Sequence, residues 1–348
     1  MALPTILVTR PLPLTIHNQL SMLGQVVTWD QEGPVTRDWL LDHIPAVEAL
    51  YCLLTDRIDR EVILLGKQLR VISSLSVGVD HIDVATCTHR GIPVGHTPGV
   101  LTETTADLAF GLLMASARRI EEGARYVREG RWTTWNPDLL LGQDIFGATL
   151  GIVGFGRIGQ AMARRALGFQ MTVCVAQVPR SACEGGRATM SGQESASGGF
   201  HQWTWPESDK VQALPFSDVL SKADFLSLHV PLTAETHHLI GFEELRLMKP
   251  TAILINTARG RVVDTDALYR ALQAGVIGAA ALDVTDPEPL PVSHPLLSLP
   301  NCLVIPHLGS ASVATRARMA VMAAENVVAG LQGTRLPYCV NPQVYAQP

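Results

Sequence analysis

Two rhythms of apolar and polar positions run along this chain. Short runs are mostly apolar, several of them on both faces: TILVT (5–9), VISSLSV (71–77), LGIVGFG (150–156), MTVCVA (171–176), FLSLHV (225–230), AILINTA (252–258), GAAALDV (278–284) and CLVIPH (302–307). Runs apolar on both faces predict strands of a covered parallel sheet. Amphipathic stretches of helical length separate them, which makes βαβ units and an α/β class. Two long helices are expected. One follows TETTAD, where Thr104 and Asp107 have the spacing of a capping box. The other opens at Ser310 and runs to about Gly330. Each lies beside an expected domain border.

One segment breaks both rhythms. Residues 181–199, SACEGGRATMSGQESASGG, are Gly- and Ser-rich without periodicity and predict a mobile loop. Trp203 and Trp205 follow two apart. They predict either an indole docked back on the surface or a binding or oligomer contact.

Composition narrows the classes. The 348 residues suffice for two domains, and 47% apolar content can fill their cores. A net charge of −5 argues against a nucleic-acid partner or a polybasic membrane patch. No run approaches the roughly 20 apolar residues of a membrane span. The N-terminal run lacks a basic leader and reads as a first strand closed by Arg10 and Pro11. The six cysteines contain no CxxC pair, so neither a disulfide framework nor a metal site is expected, and a reducing cytoplasm fits.

TLGIVGFGRIGQAMARRA (149–166) carries the strongest local signal. A strand runs into Gly154-Phe155-Gly156-Arg157-Ile158-Gly159 and then a helix. Gly154 permits the tight turn, Gly156 lets backbone approach a pyrophosphate, and Gly159 lets helix and strand pack closely. The helix N-terminus offers N–H groups to the phosphates. The next strand ends AQVPR. Ala176, Gln177 and Val178 stand where a ribose-binding carboxylate is expected, and Arg180 follows. A carboxylate there would repel a 2′-phosphate; its absence beside Arg180 admits one, so NADP(H) is expected ahead of NAD(H). A solvated surface role for Arg180 is the other reading.

Three further strand ends are polar: INTARGRVVD, LDVTDPEPLP and IPHLGSAS. They offer a guanidinium (Arg259), carboxylates (Asp283, Asp286, Glu288) and an imidazole (His307) where ligands of open α/β sheets bind.

With these motifs the sequence resembles the D-isomer-specific 2-hydroxyacid dehydrogenases, and within them the glyoxylate/hydroxypyruvate reductase branch. SVGVDHIDV, RGIPVGHTPGVLTETTADLAFGLL, GATLGIVGFGRIGQAMARRA, HVPLTAETHHLIG, INTARGRVVD, AALDVTDPEPLP and IPHLGSA carry the resemblance from about residue 5 to about 343. It implies two doubly wound parallel-sheet domains: a Rossmann-type cofactor domain (106–305) inserted into a discontinuous flavodoxin-like substrate domain (1–105 and 306–348). It implies that Arg259 binds substrate, His307 is the acid/base and Glu288 pairs with it. Val77 and Gly78 would hold the substrate carboxylate through backbone groups. Asp283 would hold the nicotinamide carboxamide. Thr105, Gly154, Gly156, Arg157, Ile158, Gly159, Gln177, Arg180, Val230, Pro231, Thr236, Thr257, Ala258 and Gly309 would line the cofactor.

The implied chemistry is coherent. Arg259 presents a planar fork to a carboxylate or developing oxyanion. Glu288 would favour a protonated imidazole and fix its ring. The resemblance further implies a homodimer through the cofactor domains, with Trp132 and Trp135 near the partner's site. The expected activity is reduction of glyoxylate and hydroxypyruvate. Another 2-keto acid such as 2-ketogluconate, or phosphite, remains open as substrate, as does a nucleotide-sensing scaffold that recruits protein partners. The chain departs from the branch at Gln177 and Val178 and in the length of 181–199.

Overall fold

The computed structural model describes residues 3–177 and 210–346. Val178, Arg180, the 181–199 segment, Trp203 and Trp205 lie outside the described residues. The chain divides into two compact units, Met1–Leu101 with Ala311–Pro348, and Thr102–Ser310. The sequence expectation put the borders near 106 and 305.

The first unit begins β1 (Thr5–Val8), α1 (Leu14–Ser21), β2 (Gln25–Thr28), α2 (Arg37–His43), β3 (Ala49–Cys52), α3 (Arg60–Leu65), β4 (Val71–Ser74), α4 (Val84–His89) and β5 (Val94–Gly95). β1 stops one residue short of the expected Thr9, whose hydroxyl instead donates to buried Asp56 at 2.5 Å.

The second unit comprises α5 (Thr102–Ala117), α6 (Ile120–Arg128), β6 (Thr149–Val153), α7 (Arg157–Gly168), β7 (Thr172–Gln177), β8 (Val211–Pro215), α8 (Phe216–Lys222), β9 (Phe225–Leu228), α9 (Phe242–Leu247), β10 (Ile253–Asn256), α10 (Thr265–Gln273), β11 (Ala279–Leu282) and β12 (Cys302–Val304). Helix α11 (Val313–Leu331) returns to the first unit.

The first unit holds a parallel sheet ordered β2-β1-β3-β4-β5. Alternate residues of each strand serve opposite faces. Leu7, Leu50, Cys52, Ile72 and Val94 share one core with α2, α3 and α4. Ile6, Val8, Ala49, Tyr51 and Val71 share the other with α1 and α11.

The second unit holds a parallel sheet ordered β12-β11-β10-β9-β6-β7-β8. Its topology reverses between β6 and β9, and such a switch point opens a crevice at the carboxyl ends of the strands. Leu150, Ile152, Ile253 and Ile255 face α5 and α7. Val153, Leu254 and Leu282 face the core that α8, α9 and α10 cover. Both faces are buried, so these strands read as unbroken apolar runs.

Two helix starts differ from expectation. α5 begins at Thr102, so Thr104 lies inside its first turn and does not mark the helix start. The carboxylates of that run serve α7 instead: Arg165 bonds Glu103 at 2.9 Å and Asp107 at 2.5 Å. α11 begins at Val313, with the Ser312 hydroxyl accepting from the Thr315 N–H at 3.2 Å. Among the described residues no helix is long and apolar enough to cross a membrane. Cys52, Cys87, Cys174, Cys302 and Cys339 are unpaired thiols. No cluster of three metal-ligating side chains occurs among the described residues.

Candidate active site

The glycine turn joins β6 to α7 at the switch point. Gly154 has φ +96°, and a Cβ there would sit 2.6 Å from the His229 carbonyl. Only glycine fits that conformation and that approach. A Cβ on Gly159 would lie 2.2 Å from the Gly154 oxygen, so α7 packs directly on the turn. At Gly156 a Cβ would meet nothing within 4 Å, which leaves an open face over the first turn of α7. Gly156 is the N-cap and supplies no side-chain acceptor. The N–H groups of Arg157, Ile158 and Gly159 therefore lack intrahelical partners. This cradle fits a dinucleotide's phosphates.

Neighbouring strand ends add further surfaces. Val230 and Pro231 follow β9; Val230 is buried, and the Thr236 hydroxyl donates to the Pro231 carbonyl at 2.6 Å. After β10, the Thr257 Oγ1 is buried and has no hydrogen-bond partner among the described residues. An orphaned buried hydroxyl is costly unless a ligand answers it, which again fits a bound cofactor. Gln177 ends β7.

The acid/base pair sits at the ends of β11 and β12. His307 Nδ1 and Glu288 Oε1 are 2.6 Å apart, both side chains partly exposed. A carboxylate only accepts, so Nδ1 carries the hydrogen and Nε2 is the atom left for substrate. His307 has φ +52°, a left-handed conformation costing about 1–3 kcal/mol for such a residue. Asp283 holds it there. The Asp283 carbonyl accepts from the His307 N–H at 2.9 Å. One carboxylate oxygen accepts from the Leu308 N–H and the other from Gly309 at 2.9 Å. Thr105, on α5, donates to the Gly309 carbonyl at 3.0 Å. Burial pushes the Asp283 carboxyl above the usual carboxylate range, opposed by the Leu308 N–H, the His307 charge and the Gly309 N–H. Both Asp283 oxygens are thus engaged by the histidine loop, beyond the nicotinamide contact the sequence implied.

Arg259 follows β10, half-buried, with one guanidinium nitrogen 2.9 Å from the Ala258 carbonyl. Asn256 frames it: its Oδ1 accepts from Ala258 N–H at 3.0 Å and its Nδ2 donates to the Arg259 carbonyl at 2.9 Å. Gly260 then passes so close to the Thr285 carbonyl that a Cβ would stand 1.9 Å from its oxygen. The Arg259 turn and the Thr285–Glu288 loop are therefore packed as one piece.

His229 was not singled out by sequence reasoning. It stands between β9 and Val230, its N–H bonded to the Val153 carbonyl at 2.7 Å and its Nε2 2.9 Å from the Ser227 hydroxyl. Burial pushes its imidazole down to about 4, so it is neutral beside the cradle. A histidine directly before the expected contacts Val230 and Pro231 was the available signal.

In the first unit, Val77 and Gly78 follow β4 and are half-buried. The Val77 carbonyl is 2.9 Å from His96 Nδ1 and the Gly78 carbonyl accepts from the Ser76 hydroxyl at 2.7 Å. A cavity of about 340 Å³ lies elsewhere in the second unit, where Ile253, Ala279 and Cys302 start their strands, and contains none of the expected site residues.

Residues 110–197 and 201–309 match the family described as D-isomer specific 2-hydroxyacid dehydrogenase, NAD binding domain. A glyoxylate reductase of Korarchaeum cryptofilum is 46% identical over 98% of this chain and 97% of its own. A solved protein of Thermus thermophilus superposes with TM-score 0.84 at 46% identity, covering 97% of this chain and 99% of its own. An NADPH-dependent glyoxylate/hydroxypyruvate reductase of Sinorhizobium meliloti, solved with NADP and malonate, gives TM-score 0.80 at 29% identity over 97% and 98%. A two-sheet parallel architecture, a dinucleotide cradle and full-length identity of this order place the chain in one group: it belongs to the D-isomer specific 2-hydroxyacid dehydrogenases, NAD(P)-dependent oxidoreductases.

Proposed function

We propose that this enzyme reduces glyoxylate and hydroxypyruvate to glycolate and D-glycerate, preferring NADPH to NADH. The observation that carries the reading is the 2.6 Å His307–Glu288 pair, held beside the Arg259 turn in the unit that bears the glycine cradle. The names of the Korarchaeum and Sinorhizobium relatives support the substrate.

Gly154, Gly156, Gly159 and the first turn of α7 hold the phosphates, and Thr257 offers its hydroxyl. When bound, the reduced nicotinamide supplies a hydride to C2 of the keto acid. Arg259 binds the substrate and stabilises the charge that grows on the carbonyl oxygen. His307 holds a proton at Nε2 and delivers it to that oxygen, completing the alcohol. Glu288 keeps the ring oriented and offsets its positive charge. Val77 and Gly78 receive the substrate carboxylate on their N–H groups. NADPH preference rests on the uncharged end of β7 and on Arg180; the Sinorhizobium relative, solved with NADP, supports it. The enzyme acts as a homodimer.

The test is steady-state oxidation of NADPH and of NADH with glyoxylate, hydroxypyruvate and 2-ketogluconate, with phosphite assayed in the opposite direction. Turnover of neither glyoxylate nor hydroxypyruvate above background overturns the substrate. Replacing His307 with Ala lowers kcat by about 10²–10⁴-fold while NADPH binding by fluorescence persists. Full activity in that variant removes His307 from the role. Light scattering reads the oligomer.

A further inference from the structure

The turn after β4 is held from behind by side chains that no role above uses. Its three successive carbonyls all accept hydrogen bonds. The Ser76 carbonyl accepts from the Thr97 N–H at 2.8 Å, the Val77 carbonyl from His96 Nδ1 at 2.9 Å, and the Gly78 carbonyl from the Ser76 hydroxyl at 2.7 Å. In a trans peptide the N–H points opposite to the C=O of the same plane. Each pinned carbonyl therefore turns the next residue's N–H the other way. Those N–H groups belong to Val77, Gly78 and Val79, and none has an acceptor among the described residues.

The hydroxyls behind the turn form a directed chain. A serine hydroxyl has one hydrogen. Ser76 donates its own to Gly78, so the 2.7 Å contact between Ser74 and Ser76 is donated by Ser74. The Ser74 oxygen then accepts from His81 Nε2 at 3.0 Å. Ser74 and Ser76 are buried. On the other side, His96 is kept in place through its own carbonyl, which accepts from buried Asn326 at 3.2 Å. His81, Ser74, Ser76 and His96 thus fix the turn independently of any ligand.

We infer that Ser76 and His96 are positioning residues that set keto-acid affinity from behind the turn, presenting the Val77, Gly78 and Val79 N–H groups as a preformed cradle for the substrate carboxylate. The inference rests on the proposed role of Val77 and Gly78 and adds Val79 as a third donor. It separates affinity for the acid group from the chemistry of His307. A preformed cradle also avoids ordering the turn on each binding event.

The test uses full-length enzyme. Ser76→Ala and His96→Leu each raise KM for glyoxylate about tenfold, as expected for losing roughly one hydrogen bond's worth of fixation. Inhibition by oxamate, a carboxylate that cannot be reduced, weakens in parallel. KM for NADPH holds, and kcat falls much less than KM rises. His96→Asn, whose amide nitrogen takes the place of ring Nδ1, restores affinity; so does Ser76→Thr. Thermal unfolding checks each variant, and the two conservative replacements carry the test where a truncated one does not fold. Unchanged KM and oxamate inhibition overturn the inference. So does a loss of kcat alone, or an equal rise in KM for NADPH. Failure of the wild type to reduce glyoxylate overturns the substrate reading instead. Calorimetric binding of oxamate to wild type and variants, in the presence of NADPH, then judges the cradle separately: weaker binding in the variants upholds it, equal binding overturns it.

Discussion

Gly260→Ala probes the packing of the Arg259 turn against the Glu288 loop. The added Cβ would stand 1.9 Å from the Thr285 oxygen, 2.1 Å from its carbon and 2.7 Å from the Asp286 nitrogen. All three are backbone atoms, so no side chain can rotate away. Close C···O contacts lie near 3.3 Å, so the two segments must part by roughly 1.4 Å. Arg259 is adjacent to the substituted residue, and Glu288 stands three residues beyond Thr285. A displacement of about 1 Å at reacting groups can cost 10²-fold, so kcat/KM for glyoxylate should fall by about that factor. Overpacking of this kind costs about 1–3 kcal/mol. For a unit of this size each kcal/mol lowers Tm by about 2–4 °C. The glycine cradle after β6 is not touched, so the variant should still bind NADPH, with any loss of affinity much smaller than the fall in kcat/KM. The assays are steady-state kinetics, calorimetric unfolding and nucleotide fluorescence. Wild-type kcat/KM together with an unchanged Tm would refute the claim that these segments move as one piece.

Asp283→Asn leaves one acceptor oxygen for the two N–H groups of Leu308 and Gly309. The unmet donor costs about 1–3 kcal/mol, and kcat drops as His307 leaves its left-handed position; a normal kcat with a normal Tm would contradict the tether. Below pH 6.5 an unfolded chain protonates His229, while the folded ring resists until about 4. Stability therefore falls as pH drops across that window, by up to about 3 kcal/mol, and His229→Asn should flatten the fall in a pH series of unfolding curves. Arg180→Ala should raise KM for NADPH and spare that for NADH; equal effects on both would leave only tolerance of the 2′-phosphate.

Strands buried on both faces were legible because nothing interrupts their apolar runs: β6, β10 and β11 read directly. β2 and β8 are edge strands with exposed or half-buried positions, and β5 has two residues, so none carries a distinctive pattern. β3 is buried throughout, yet ALYC is too short to separate from the apolar stretch around it. The Thr104 capping signal failed because a run of Thr and Glu offers several helix starts, and its acids were already committed to Arg165. The reactive side chains of the site were visible as residue types at strand ends. Asn256, Ser76 and His96 were not, because they act on backbone carbonyls and N–H groups, whose positions sequence does not display. Asp283 was visible, but its grip on the histidine loop depends on a left-handed turn that only coordinates reveal.

The first unit's discontinuity bears on how the chain is made. On the face of its sheet formed by Ile6, Val8, Ala49, Tyr51 and Val71, the covering residues include Ala320, Ala323, Ala324, Val327 and Leu331 of α11. Those residues emerge from the ribosome only after Thr102–Ser310 has been synthesised. At about 5–20 residues per second the first five strands wait for tens of seconds with one apolar face lacking that cover. The inserted unit is contiguous and can complete itself in that interval. During vectorial synthesis the later-made unit is thus the earlier to finish, and the nascent N-terminal sheet is the part of the polypeptide with most need of a chaperone.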